Sequence, residues 1–379
     1  MLPELPDASP AVGLTALTAL DHARTPASSH RPAAGAGLVA LLDAAPQLRR
    51  DIVDSGSPLG VARRDLATWS YPTSFAFGGA VRTPLPSVRL QSRMLVVQWA
   101  DPQGVTRTLL WEPADHERAG FTPYYARRRA GLGRSGPART VVHGTVPGHL
   151  RALGIDPGDV DYLAFAHLQT QDVRRLLGTT APAPDLADHD TPLEGWFPNA
   201  TLLVARQEWE ALARLHPLQA PWYQPRTFTS LPGDRVGLLD GDRLLGPGVA
   251  LIATPGRTGG HTSLVLATEA GVWVCSGNGV AADAWAPRAS RLPGLRAWSL
   301  SWGQEVAPVT DGSEFAAWQY DAMMLEGALA DPVPSAPFPQ CLPTAELAAG
   351  RRSPGLGAAH RQPGPSHGRI HGSSPVASA

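Results

Sequence analysis

Residues 160–180 read VDYLAFAHLQTQDVRRLLGTT. The run 161–166 is short and mostly apolar, with Tyr162, Leu163 and Phe165, which predicts a buried strand. It ends at His167, and a strand end that hands a histidine to a loop is a common way to build a site. Leu168, Gln169, Thr170, Gln171 and Asp172 make a short, largely polar loop. Residues 173–177 then read as a helix stopped by Gly178. The unit is strand, polar loop, helix, with His167 at the hinge.

The flanking sequence extends this unit in both directions. Upstream, the helix pattern that includes His149 stops at Gly154, and a turn leads into the strand. Further upstream, 93–99 and 105–111 predict a hairpin across the turn Asp101-Pro102-Gln103-Gly104, which runs into Trp111-Glu112-Pro113-Ala114-Asp115. Downstream, Phe197-Pro198-Asn199-Ala200 opens a strand, followed by a helix bearing Glu208, Trp209 and Glu210. A strand at 248–254 then meets the loop Pro255-Gly256-Arg257-Thr258-Gly259-Gly260, which delivers His261. A β-meander follows and ends at Ser276-Gly277-Asn278.

Taken in order, these elements resemble the metallo-β-lactamase superfamily, and its lactonase-like branch in particular, over roughly residues 71–325. That family carries H-x-H-x-D-H between a strand and a helix. Here His167 matches the first histidine, while Gln169, Gln171 and Asp172 stand at the second histidine, the aspartate and the last histidine. The block around 254–261 is similar to the family's T-P-G-H-T-x-G-H loop, with Arg257 at a histidine position and His261 at the metal-binding one. Asn278 stands at the bridging aspartate. The resemblance implies an α/β (α+β) fold, a four-layer αββα sandwich of two mixed sheets with helices outside.

The site implied by the resemblance is degenerate. Two neighbouring metal ions need a bridging carboxylate to offset their repulsion, and Asn278 is neutral. The amide oxygens of Gln169 and Gln171 suit zinc poorly beside imidazole or carboxylate. The resemblance therefore leaves at most one zinc or iron ion on His167, His261 and Asp172, with Asp172 and Asn278 as the catalytic candidates. Its chemistry would be a metal-activated water attacking an ester, lactone or amide carbonyl. The alternatives are a metal-free small-molecule-binding protein and a non-catalytic scaffold. Plainer roles compete residue by residue: Asp172 as cap of the helix at Val173, Asn278 as a loop-holding amide, the histidines as hydrogen-bonded strand ends. Asp283 is a candidate displaced carboxylate, and Cys275 a buried small hydrophobe.

Composition narrows the function class. The chain has 379 residues, 43% hydrophobic and 17% charged, with a formal net charge of −1. Such a balance gives no electrostatic footprint for nucleic acid or an anionic membrane. Lysine is absent, which removes Schiff-base and P-loop lysine chemistry. Two cysteines, Cys275 and Cys341, are too few for a disulfide framework or a cysteine zinc module. No run has the length of a membrane span, and the first residues lack a basic, apolar leader pattern, so a cytoplasmic protein acting on a small molecule is expected. Residues 1–36 and 349–379, rich in Ala, Pro, Gly, Ser and Arg, are expected to be unstructured around a domain at 37–348. A short peripheral helix is expected at 38–45, ending before Pro46, and 75–81 reads as a strand.

Overall fold

A computed structural model describes residues 5–11, 13–24, 34–132, 140–187, 190–224, 227–309, 313–348 and 356–372. The long antiparallel hairpin of Gly60–Pro72 and Ser87–Ala100 leads the first sheet. Thr106–Trp111 pairs antiparallel with Ser87–Ala100. Beyond it, Tyr162–Ala164, Thr201–Ala205 and Val236–Leu239 add in parallel. The second sheet is a meander through Asp242–Gly246, Val249–Ala253, Thr262–Thr268 and Gly271–Ser276. Cys341–Pro343 closes its far edge in parallel.

Strand periodicity explains why the two sheets face each other. Along Ser87–Ala100, Leu95, Val97 and Trp99 point into a core shared with Leu251, Leu264, Leu266 and Trp273 of the second sheet. The alternate residues Leu90, Met94 and Val96 point outward, against Val146 and Leu150 of the helix Val146–Leu153. On the other side, Ala250 and Ile252 face outward onto Leu48 and Ile52 of the helix Ala34–Asp54 and Met323 and Leu329 of the helix Ala316–Leu329. Period-two alternation thus gives each sheet two apolar faces, and helices must cover the outer ones. The result is the expected four-layer αββα sandwich.

Several local expectations give way to tertiary packing. The helix expected to stop before Pro46 runs from Ala34 to Asp54 through that proline. A proline inside a helix costs about 3 kcal/mol, and here Ala45, Leu48 and Ile52, all fully buried, offset it. The stretch 75–81 is not a strand; it makes the short helix Thr73–Ala76 and a turn with Gly78 and Gly79 at positive φ.

Both terminal segments expected to be unstructured contribute strands among their described residues. Ser9–Pro10 pairs with Val236–Leu239, and Thr15–Leu17 pairs with Asp242–Gly246. His367–Gly368 pairs with Gly60 and Val61, and the Gln98 amide exchanges two hydrogen bonds with the His371 backbone. Open sheet edges present unpaired backbone groups that backbone of almost any composition can satisfy, so low hydrophobicity did not preclude pairing. Gly60 permits the close approach, because a Cβ there would lie 2.4 Å from the Arg369 carbonyl oxygen.

Candidate functional site

His167 lies just past the strand Tyr162–Ala164, and His261 just before the strand Thr262–Thr268. Thr262 N–H donates to the Ala166 carbonyl, which ties the two approaches together. The imidazole rings lie 5.8 Å apart between centroids, inclined by 29°. Both converge on Gly277, where a Cβ would sit 3.1–3.2 Å from ring atoms of each histidine. A side chain at this position would press on both rings.

Glu208, from the helix Arg206–Ala211, joins the two loops. Its carboxylate accepts from Leu168 N–H at 2.9 Å, from Tyr223 O–H at 2.9 Å and from Thr258 O–H at 2.6 Å. Gly260 N–H also donates to it. Gly260 packs so closely on this helix that a Cβ would meet Glu208 N at 2.2 Å.

Arg257 is the cation of the site, and only 9% of its surface is exposed. Its Nε donates to Gln169 Oε1 at 3.2 Å, and its Nη2 to the Tyr71 hydroxyl at 3.2 Å. Nη1 reaches the Gly277 carbonyl at 3.5 Å. The backbone fixes the base of the side chain, since Arg257 N–H donates to Asn278 Oδ1 at 3.1 Å and the Arg257 carbonyl accepts from Gln219 Nε2 at 3.1 Å. Burial, then the Arg257 charge, pushes the His261 imidazole down to about 3. Burial, Arg257 and then His261 hold His167 well below its ordinary range. Both rings are neutral at physiological pH.

The remaining expected residues point elsewhere. Asp172, 2% exposed, is bound by Arg174 through Nε at 3.0 Å and Nη2 at 2.8 Å, and by Arg118 Nε at 3.4 Å. It also accepts from Arg174 N–H at 3.3 Å, so it braces the start of the next helix. Asn278 donates from Nδ2 to Glu326 Oε1 at 2.8 Å and to the Thr254 carbonyl at 3.2 Å. Its whole amide is engaged in loop support. Asp283 is held by Ser290 and by Ala359 N–H, and Cys275 is buried in its strand.

The donor set does not fit a metal ion of the family's kind. His261 has both nitrogens occupied: Nε2 accepts from Gly277 N–H at 3.1 Å, and Nδ1 shares a proton with Thr254 Oγ1 at 3.0 Å. The Asp172 charge is already answered by two guanidinium groups, and a dication beside Arg257 would meet like charge at low dielectric. His167 Nδ1 is the exception, a buried nitrogen with no partner among the described residues. Among the described residues there is no group of three or more His, Cys, Asp or Glu side chains able to hold a metal.

A cavity of about 130 Å³ opens beside Arg257, lined also by Tyr71, Glu112, His167, Thr170, Gln171, Trp222, Trp69, Ser92, His116 and Tyr125. Among the described residues, the two non-glycine positions at positive φ, Glu112 at 58° and Thr170 at 63°, both line it. Left-handed backbone at such residues costs on the order of 1–2 kcal/mol and is characteristic of functional loops. Glu112 is buried and accepts from Ala166 N–H at 2.8 Å. Burial pushes its carboxyl up to about 7, against the opposing pull of that hydrogen bond and of Arg257. Glu112, Ser92 and His116 are absent from the set expected from sequence. The acidic turn after the hairpin was the one available signal, and it pointed to the loop without singling out Glu112.

No family model matches the chain. N-acyl homoserine lactonases of Bacillus thuringiensis and of its subspecies kurstaki are each 30% identical to it over 120 residues, 32% of this chain. The chain thus spans 38% of the length of the curated relatives it matches. Among solved structures, a quorum-quenching N-acyl homoserine lactone lactonase is 19% identical, with 65% of this chain and 84% of that one covered and a TM-score of 0.41. A dizinc quorum-quenching lactonase in complex with a product is 12% identical, with coverages of 57% and 69% and a TM-score of 0.36. With its two face-to-face sheets and outer helices, the chain has the metallo-β-lactamase fold and resembles the lactonase-like branch of that superfamily.

Proposed function

We propose that the cavity beside Arg257 receives the carbonyl end of a small ester or lactone and supports its hydrolysis, with the guanidinium as the fixed positive charge of the site. The observation that carries this reading is the placement of Arg257: buried, held by Gln169, Tyr71 and the Gly277 carbonyl, and exposed to the cavity at one edge. A planar guanidinium keeps its charge at every relevant pH and presents several N–H donors in a fixed fork. In a site of low dielectric, preorganised donors of this kind stabilise charge that develops on a carbonyl oxygen. The neutral His167 and His261 complement it by leaving the positive charge undivided. Trp222 and Tyr125 supply apolar walls for the rest of the ligand.

The relatives that hydrolyse N-acyl homoserine lactones make a lactone the first substrate class to test. The metal-centred reading, one zinc or iron ion on His167, His261 and Asp172, draws on the same relatives and on the unpartnered His167 Nδ1. It requires His261 to release Gly277 N–H and Asp172 to leave two arginines, so the metal-free reading is preferred.

The test is binding and hydrolysis of short-chain lactones and aryl esters, followed by Trp fluorescence and product release with and without chelator. Activity that survives chelation and falls at least ~100-fold in Arg257→Gln, as expected on losing a developing-charge contact, supports the proposal. Activity that follows metal content and ignores Arg257→Gln overturns it.

A further inference from the structure

Ser92 and His116, two lining residues of the cavity, are in direct contact. Ser92 Oγ lies 2.5 Å from His116 Nε2, while its next partner, the Ala67 carbonyl, is 3.4 Å away. Both side chains line the same cavity as Arg257. Ser92 sits in register with Ala67 at the irregularity where Leu66 is skipped in the long hairpin. His116 is the first residue of the helix His116–Ala119, and its imidazole packs on the Trp69 ring, 5.3 Å between centroids. A hydroxyl bonded to an imidazole at this distance is the arrangement that activates a serine nucleophile.

We propose that Ser92 is a covalent nucleophile and His116 its general base, acting on the carbonyl ligand of the cavity. The proposal rests on the reading of the cavity as an acyl-substrate pocket and supplies the nucleophile that reading lacks. Ser92 Oγ forms a bond to the carbonyl carbon as its proton passes to His116 Nε2. The carbon–oxygen bond to the leaving group then breaks, the leaving alkoxide takes the proton from His116, and an acyl ester of Ser92 remains. Water, deprotonated by the same imidazole, attacks this ester; the carboxylic acid leaves and the proton returns to Ser92. No metal or redox partner enters the balance.

The experiment is labelling of the wild-type protein with a small fluorophosphonate, in which Ser92 Oγ displaces fluoride from phosphorus. Intact-mass and peptide mass spectrometry read the number and position of adducts. One adduct per chain on Ser92 is expected, none in Ser92→Ala, and at least ~100-fold slower labelling in His116→Phe, the range for loss of a general base. Far-UV circular dichroism verifies that both variants fold. Lactone or ester binding by Trp fluorescence is followed in parallel and is expected to persist in Ser92→Ala. Absence of an adduct on Ser92 in the wild type overturns the dyad, whatever the variants do. Binding without an adduct leaves the Arg257 pocket standing and removes the nucleophile, whereas an adduct without lactone or ester binding retains the dyad and removes the substrate class.

Discussion

Arg257 Nε donates to Gln169 Oε1 at 3.2 Å, so two positions that hold histidine in the motifs this chain resembles bond to each other here. Gln169 passes the contact on, donating from Nε2 to Gln219 Oε1 at 2.5 Å, and Gln219 returns to the Arg257 carbonyl at 3.1 Å. Arg257, Gln169 and Gln219 thus form a closed hydrogen-bonded ring.

Energetic coupling follows from that ring. Gln169→Ala and Arg257→Gln should each lower stability by about 1–3 kcal/mol, the range for leaving a buried polar partner unsatisfied. A double-mutant cycle should return a coupling of at least ~0.5 kcal/mol. Denaturant unfolding of the four proteins measures it, and additive effects would show that the contact is incidental.

Glu112 gives the protein a pH signature. Its folded-state pKa, about 7, lies above the usual carboxylate value of 4.5. The native state therefore holds this proton in a window where the unfolded chain has released it. Its contribution to stability is present below pH 4.5 and is lost as pH rises towards 7, a change on the order of 3 kcal/mol. Glu112→Gln should flatten that part of the stability–pH curve while leaving the rest unchanged. An unaltered curve would mean that the carboxyl is not perturbed.

Glu208 is the positioning residue for both histidine loops. Glu208→Gln replaces one acceptor oxygen by a donor group and sets it against donors already in place at Thr258, Tyr223, Leu168 and Gly260. Loss of about 2–4 kcal/mol is expected, in line with disruption of a buried network. Hydrogen exchange should accelerate at Leu168 and at Gly260 together. Acceleration at one loop alone would show that Glu208 does not couple them.

The edge-strand role of the C-terminal segment is tested at Gly60. Gly60→Ala places a Cβ against the Arg369 carbonyl and should free 367–372 to proteolysis while the αββα core stays folded. Unchanged protection would mean that the strand pairing adapts without loss.

The sequence was most informative where periodicity and chain punctuation agree. The apolar run ahead of His167, the stop at Gly154 and the alternation at Leu95, Val97 and Trp99 carry the two-sheet architecture. Pairing of weakly hydrophobic edges, such as His367–Gly368, depends on backbone groups and leaves no side-chain pattern. The two histidines were legible because family spacing marks them. Ser92 and His116 come from separate elements and meet only through the fold, so no local spacing announces them. Arg257 was visible as a substitution, but its place among Gln169, Tyr71 and Gly277 arises only when three distant segments meet in the fold.

The most direct test of the Arg257 site is ligand binding measured beside elemental analysis on the same protein. Wild type, Arg257→Gln, His167→Ala and His261→Ala are purified, treated with chelator, assayed for bound metal and titrated with a short-chain lactone. The expected result is lactone binding by chelated wild type, weakened at least ~100-fold in Arg257→Gln, the range for a lost charged contact in a buried site. One metal ion per chain, lost in both histidine variants together with binding, and a silent Arg257→Gln, would contradict it.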